Sequence, residues 1–186
     1  MERYKFPNSF IENQFVKYIN RNEIKGIVGS LGHTLSKKYA GEELVLIGVL
    51  KGSSVFAADL MREIKNVKVQ IDFVKLTAKG REDNAHGTIC LSKDITTDIY
   101  KKNVIIIEEI IDTGRALQFL KQRLLLSEPK QLEILTLFDK PYKRAAPVNA
   151  DYIGKTIDDQ FIVGYGLDLE EYGRNFQDVY YLKYPN

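Results

Sequence analysis

The sequence predicts an α/β fold built on a parallel sheet flanked by helices, and three stretches carry that expectation. Val104 to Ile107 are four consecutive β-branched residues, short and unbroken, as in a strand covered on both faces. The chain then turns acidic at Glu108 and Glu109. After Asp112-Thr113-Gly114 comes a helical pattern with Leu117, Leu120 and Leu124 on one side. Leu44 to Leu50 repeats the arrangement with an apolar strand, a turn at Lys51-Gly52-Ser53-Ser54 and an apolar helix through Phe56, Leu60 and Ile64. Leu132 to Phe138 is a third buried strand, ended by Asp139-Lys140-Pro141. Strand, turn and helix in repeated succession is the signature of this class.

The remaining elements follow in order. Residues before Asn22 form a loosely patterned entry segment, and from Glu23 to Tyr39 the residues Ile24, Ile27, Val28, Leu31 and Leu35 recur at helical spacing, with Asn22 as N-cap. From Val67 to Leu76, Val67, Val69, Ile71 and Phe73 alternate with Lys68, Gln70 and Asp72. One buried and one wet face suits an edge strand. Between Thr77 and Tyr100 a polar, aperiodic stretch through Lys79, Gly80, Arg81, Glu82, Asp83, Asn84, His86 and Gly87 is either a lid or an exposed hairpin. The last third holds short strands at Tyr152-Ile153, Phe161 to Val163 and Val179 to Leu182. With no linker, repeat or low-complexity segment, residues 1–186 are expected to form one domain. Its small hood would come mainly from the C-terminal third and the N-terminal segment.

Composition narrows the function. A chain of 186 residues is long enough to bury roughly 70% of its unfolded surface. A net charge of +2 with interspersed signs gives no footprint for nucleic acid, which directs attention to small-molecule partners. Cys90 is the only cysteine, so no internal disulfide forms. The charged start Met-Glu-Arg-Tyr-Lys leads into no apolar signal region, and the Leu44–Leu50 run is far short of a membrane span. A cytoplasmic protein without a membrane partner is expected.

The stretch from Lys102 to Leu117 carries the chemistry. A turn at a helix N-terminus offers unpaired N–H groups and a positive dipole end to a phosphate. Adjacent carboxylates suit ribose hydroxyls or a water-bound magnesium ion. The plainer alternative makes Glu108, Glu109 and Asp112 solvated loop acids and Thr113 an N-cap. His33 reads as an ordinary helix residue and His86 as a loop residue, and with Cys90 alone no zinc spacing exists. Neither a Gly-x-Ser-x-Gly elbow nor a P-loop lysine motif occurs.

An apolar run followed by two acids, two apolar residues, Asp-Thr-Gly and a helix resembles the phosphoribosyl-pyrophosphate (PRPP) motif of type I phosphoribosyltransferases. Leu50-Lys51-Gly52, this motif, Asp139-Lys140-Pro141 and Phe161 to Asp168 occur in the order seen in hypoxanthine-guanine phosphoribosyltransferases, with Arg174 six residues beyond Asp168. The resemblance runs from about Ile24 onward. It implies a hood over the purine, a Mg2+ cofactor, PRPP and a purine base as substrates, and a homodimer or homotetramer. It also implies residue roles. Lys51 and Gly52 would receive pyrophosphate, often beside a cis peptide, and Arg174 would meet the departing group. Glu108 and Glu109 would hold ribose and the metal's water shell, and Asp168 would approach a second magnesium. Asp112 would exchange a proton with purine nitrogen 7, and Asp112, Thr113, Gly114, Arg115, Ala116 and Leu117 would cradle the 5′-phosphate. Lys140 would read the 6-oxo group, Phe161 would stack on the purine, and Ile162 would present backbone groups to its edge.

The chain makes three departures from the family pattern. Glu109 replaces an aspartate, Ala116 replaces a threonine of the phosphate loop, and Ala78-Lys79 replaces the Ser-Tyr pair of the lid while Gly80 remains. Purine salvage, making IMP or GMP and pyrophosphate, is the leading reading. Ala116 and the lid favour an alternative, a PRPP- or nucleotide-sensing binding protein with a degenerate site. A doubly wound redox or signalling module would need a Gly-x-Gly-x-x-Gly fingerprint that is absent.

Overall fold

The computed structural model describes residues 15–79 and 88–183. In chain order the elements are β1 (Phe15–Ile19), α1 (Arg21–Lys38), β2 (Glu43–Leu50), α2 (Ser53–Glu63), β3 (Lys68–Lys79) and β4 (Thr88–Lys93). Then come β5 (Asn103–Ile111), α3 (Arg115–Leu125), β6 (Gln131–Asp139), a 3-10 turn at Pro141–Lys143, β7 (Tyr152–Thr156), β8 (Ile162–Val163) and β9 (Val179–Leu182). Six strands form the main sheet in the order β4-β3-β2-β5-β6-β7, all parallel except β4.

The β-branched run of β5 lies in the middle of that sheet and alternates between two cores. Ile105 and Ile107 join Leu44 and Leu46 of β2 beneath α1 and α2. Val104 and Ile106 join Val45 and Ile47 on the other face, where Leu117, Leu120 and Leu124 of α3 cover them. Each such fully buried aliphatic side chain contributes about 1.5–3 kcal/mol. The chain leaves β2 toward β3 on one side and β5 toward β6 on the other, so the winding reverses between β2 and β5. A crevice opens at the carboxyl ends of the strands at such a reversal.

The sequence reading needs correction in five places. β5 runs on through Glu108 and Glu109 to Ile111, so these acids end a strand and do not begin a loop. Pairing with β2 stops at Ile107, where the two-sided apolar pattern ends, but pairing with β6 continues to Ile111 and Asp139. β3 is not an edge strand, because its continuation and β4 form an antiparallel hairpin that takes the edge. The helix begins two residues earlier than its periodicity suggests, and its N-cap is Asn20, not Asn22. Asn20 Oδ1 accepts the N–H groups of Asn22 and Glu23, each at 3.0 Å. The entry segment contains β1, whose partner β9 lies at the far end of the chain. β7 belongs to the main sheet beside β6.

β1, β9 and β8 form a separate antiparallel sheet, tied to the start of α1 by Asp178. Its carboxylate accepts from Arg21 N at 2.8 Å and pairs with Lys17 at 2.7 Å. Among the described residues no helix is long and apolar enough to cross a membrane.

Candidate active site

The carboxyl end of β5 brings two acids out of the core in adjacent positions. Glu108 and Glu109 each keep one carboxylate oxygen buried with no hydrogen-bond partner. Burial raises the carboxyl of Glu108 well above the ordinary carboxylate range, and the charge of Glu109 beside it adds to the effect. Burial also pushes Glu109 up to about 7, against the opposing pull of its own backbone N–H and of Arg174. Orphaned carboxylate oxygens that favour protons are an arrangement that a hard cation or a set of hydroxyl donors would relieve. The donor set fits magnesium in that sense. Among the described residues, however, no three acids, histidines or cysteines gather into a ready-made cage.

Beyond β2 the Leu50-Lys51 peptide is cis. Gly52 then opens α2 with helical backbone angles, and a Cβ here would lie 1.8 Å from a carboxylate oxygen of Glu109, so a larger residue would displace that side chain. The turn after β2 and the end of β5 thus interlock across the winding reversal. The segment following β8 closes over them. Arg174 donates from Nη1 to the Gly166 carbonyl at 2.9 Å and from Nη2 to Asp168 Oδ1 at 2.9 Å. Lys51 Nζ sits 2.7 Å from Glu171 Oε2, and the same carboxylate oxygen is 3.3 Å from Arg174 Nη2. Lys51, Gly52, Glu109 and Asp168, expected from three separate motifs, and Arg174 therefore share one neighbourhood.

A second group forms at the end of β6. Lys140 is 6% exposed, and burial lowers its ammonium below the ordinary lysine value while nearby Asp112 counteracts that effect. Its Nζ donates to the Gln160 carbonyl at 2.6 Å and lies 3.7 Å from Asp159. Lys143 Nζ, from the 3-10 turn, reaches Asp159 at 2.6 Å and Asp112 Oδ2 at 3.7 Å. The other oxygen of Asp112 is buried and unpartnered. Phe161 presents an exposed ring next to this group, and Ile162 is buried in β8.

Between the two groups lies the turn into α3. Thr113 does not cap the helix: the N-cap is Gly114 at φ 76°, a left-handed angle that glycine takes without cost. The first turn of α3 thus has no side-chain acceptor at its cap and keeps its anion-binding capacity. Glu108, Asp112, Thr113, Gly114, Ala116 and Leu117 line a cavity of about 140 Å3 here, and Arg115 leads the helix. The loop is clamped from behind. Thr113 O accepts from Ala145 N and Ala146 N at 2.9 and 3.1 Å, and Arg144 donates to Asp112 O at 2.8 Å while pairing with buried Asp139. A larger cavity, about 440 Å3, lies between α1, α2 and the 165–177 segment and contains none of the site carboxylates.

Residue-by-residue reading missed Lys143, Arg144, Asp159, Gln160 and Glu171. The first four lie within four positions of Lys140 or two of Phe161, so proximity to those motifs was a usable signal. For the lid, Ala78 and Lys79 end β3, paired in register with Ile89 and Thr88, and Gly80 lies outside the described residues. β2 ends at Leu50, opposite Lys75, so β3 continues past the end of β2 to Lys79.

A doubly wound sheet with a phosphate-ready helix N-terminus, paired acids at its reversal and a second small sheet above defines a class. The Phosphoribosyl transferase domain profile matches residues 18–170, and the chain belongs to the phosphoribosyltransferase family. Its relatives are specific within that family. It is 39% identical over 165 residues to a hypoxanthine-guanine phosphoribosyltransferase of Staphylococcus aureus, covering 89% of this chain and 92% of the relative. It is 42% identical to a hypoxanthine phosphoribosyltransferase of Buchnera aphidicola, covering 82% and 87%. A crystal structure of a hypoxanthine-guanine phosphoribosyltransferase from Bacillus anthracis superposes with a TM-score of 0.85 at 43% identity, covering 89% of this chain and 97% of that one. The chain is a member of this hypoxanthine-guanine group, with its type I fold.

Proposed function

We propose that the chain is a magnesium-dependent purine salvage enzyme, converting hypoxanthine or guanine and PRPP into IMP or GMP and pyrophosphate. The observation that carries this reading is the placement of a buried lysine and a partly unpartnered aspartate, Lys140 and Asp112, beside an uncapped helix N-terminus. A 6-oxopurine offers the oxygen that Lys140 would bind and the N7 proton that Asp112 would accept. The 5′-phosphate would rest on the N–H groups of the α3 N-terminus from Thr113 to Leu117.

In the forward direction purine N9 bonds to the anomeric carbon as the pyrophosphate oxygen departs, and the N7 proton passes to Asp112. Positive charge grows on the sugar ring, and Glu108 and Glu109 would hold its hydroxyls. Lys51 and Arg174 balance the charge of the departing pyrophosphate. Glu108, Glu109 and Asp168 would hold magnesium, which when bound would supply further charge neutralisation. Lys140 gives one of its three donors to Gln160 O, which leaves donors for the purine oxygen. Phe161 stacks on the ring and Ile162 fixes its edge. Ala78, Lys79 and Gly80 mark the lid position. We place the enzyme in the cytoplasm as a homodimer or homotetramer. Relatives named as enzymes weigh against the binding-protein alternative.

The test is Asp112→Asn, because a positioned general base contributes about 10²–10⁴-fold. Nucleotide formation should fall by that order while PRPP still binds. Turnover at the wild-type rate would remove Asp112 from the mechanism.

A further inference from the structure

The proposed reaction gives no role to Glu171, yet its carboxylate lies on both cations meant for pyrophosphate. Its Oε2 is 2.7 Å from Lys51 Nζ and 3.3 Å from Arg174 Nη2. The turn that delivers it is unusual. Leu169 and Tyr172 exchange N–H···O bonds of 3.0 and 2.9 Å, and Glu170 and Glu171 between them have φ of 50° and 73°. Left-handed backbone at both central positions is the arrangement that Asn-Gly or Gly-Gly ordinarily fills, and a glutamate adopts it at a cost. The Glu171 N–H is held in turn by Asp168 Oδ2 at 2.8 Å, while Asp168 Oδ1 holds Arg174.

Fold stability does not account for this expense. The Lys51 and Glu171 side chains are 51% and 62% exposed, and ion pairs so open to water contribute little to folding. A strained segment that aims a charge at two functional cations points instead to a role at the site.

We infer that Glu171 is an internal counter-anion of the pyrophosphate site, holding Lys51 and Arg174 while the site is empty and displaced when a diphosphate enters. This rests on the reading of Lys51 and Arg174 as the pyrophosphate-binding cations. A diphosphate carries several charged oxygens and can engage the guanidinium in bidentate fashion, so it outcompetes a single carboxylate. A singly charged anion cannot, because the tethered carboxylate is always at hand. Glu171 therefore sharpens the site for polyphosphates and loosens its grip on pyrophosphate once formed, since the carboxylate is ready to return.

Calorimetric titration of inorganic pyrophosphate in magnesium buffer tests this, using wild type, Glu171→Gln, Glu170→Gln and Lys51→Ala. Glu170 lies in the same turn but makes no ion pair among the described residues, so it controls for net charge. A nucleoside 5′-monophosphate titrated into each variant reports an intact fold and phosphate loop. Glu171→Gln should bind pyrophosphate about three- to fivefold tighter, the scale of an exposed ion pair. Glu170→Gln should match wild type, and monophosphate affinity should stay constant. Unchanged or weaker pyrophosphate binding in Glu171→Gln, or an equal gain in Glu170→Gln, overturns the counter-anion role and leaves the site assignment standing. Pyrophosphate binding that is absent from wild type, or that Lys51→Ala leaves untouched, overturns the site assignment and this inference together.

Discussion

Ala116 lies in the first turn of α3 and lines the cavity at that helix N-terminus, where a threonine hydroxyl is usual in the family pattern. Backbone N–H groups and the helix dipole remain, so a 5′-phosphate bound there as proposed would keep its main donors. Ala116→Thr adds one more and should tighten nucleoside monophosphate binding by about 1 kcal/mol, a typical net hydrogen bond. Calorimetry reads this directly, and equal or weaker affinity would mean that the backbone already satisfies the phosphate. At this scale the sequence exposed residues that match a family motif. Lys140 was legible through the resemblance of Asp139-Lys140-Pro141 to such a motif; without that resemblance it reads as a surface lysine at a strand end. Glu171 was not legible, because an acid beside Glu170 looks like ordinary surface. Only the fold shows Arg144 against Asp112 and Glu171 against Lys51.

The hairpin of β3 and β4 depends on an element-scale anchor, Asp72. Its Oδ2 accepts from Thr96 N and Thr97 N at 2.6 and 2.9 Å, its Oδ1 from Phe73 N at 2.7 Å, and Lys93 lies at 3.2 Å. Burial alone would raise this carboxyl, but the three N–H groups and the lysine hold it far below the usual carboxylate range. Because the folded value lies below the unfolded one, the stabilisation is complete above about pH 4 and is lost as pH falls below it. Asp72→Asn should cost about 1–3 kcal/mol at neutral pH, the scale of hydrogen bonds to a charged group. Denaturant unfolding at pH 7 and pH 3 should show the gap between variant and wild type begin to narrow at the lower pH, since the loss is complete only once pH passes the folded value. An equal gap at both would exclude charge as the cause. The alternation of β3 was readable, but its neighbour was not: β4 has exposed ends and only half-buried positions between, so no strong pattern marks it. β1 was hidden for a different reason, since five residues pair only with a strand at the other end of the chain.

For the whole molecule, the repeated strand, turn and helix pattern was enough to define a parallel sheet, and four short motifs marked where its crevice would lie. What the linear order could not convey is how β2 and β5 come together. The strand order reverses between them, so Gly52 meets Glu109 although the two are far apart in sequence. That meeting links the turn after β2 to the acidic strand end, and in the proposed reading the turn takes pyrophosphate while Lys140 and Asp112 take the purine. The central claim is that this crevice transfers a phosphoribosyl group to a 6-oxopurine. Lys140 has donors only, so the 6-amino group of adenine would meet it donor to donor and leave buried polar groups unpaired. The most direct test is to measure specificity constants for hypoxanthine, guanine and adenine with PRPP and magnesium. The account predicts efficient, magnesium-dependent nucleotide formation from hypoxanthine or guanine and a strong preference for both over adenine. Equal or better use of adenine, or no transfer to any of the three, would contradict it.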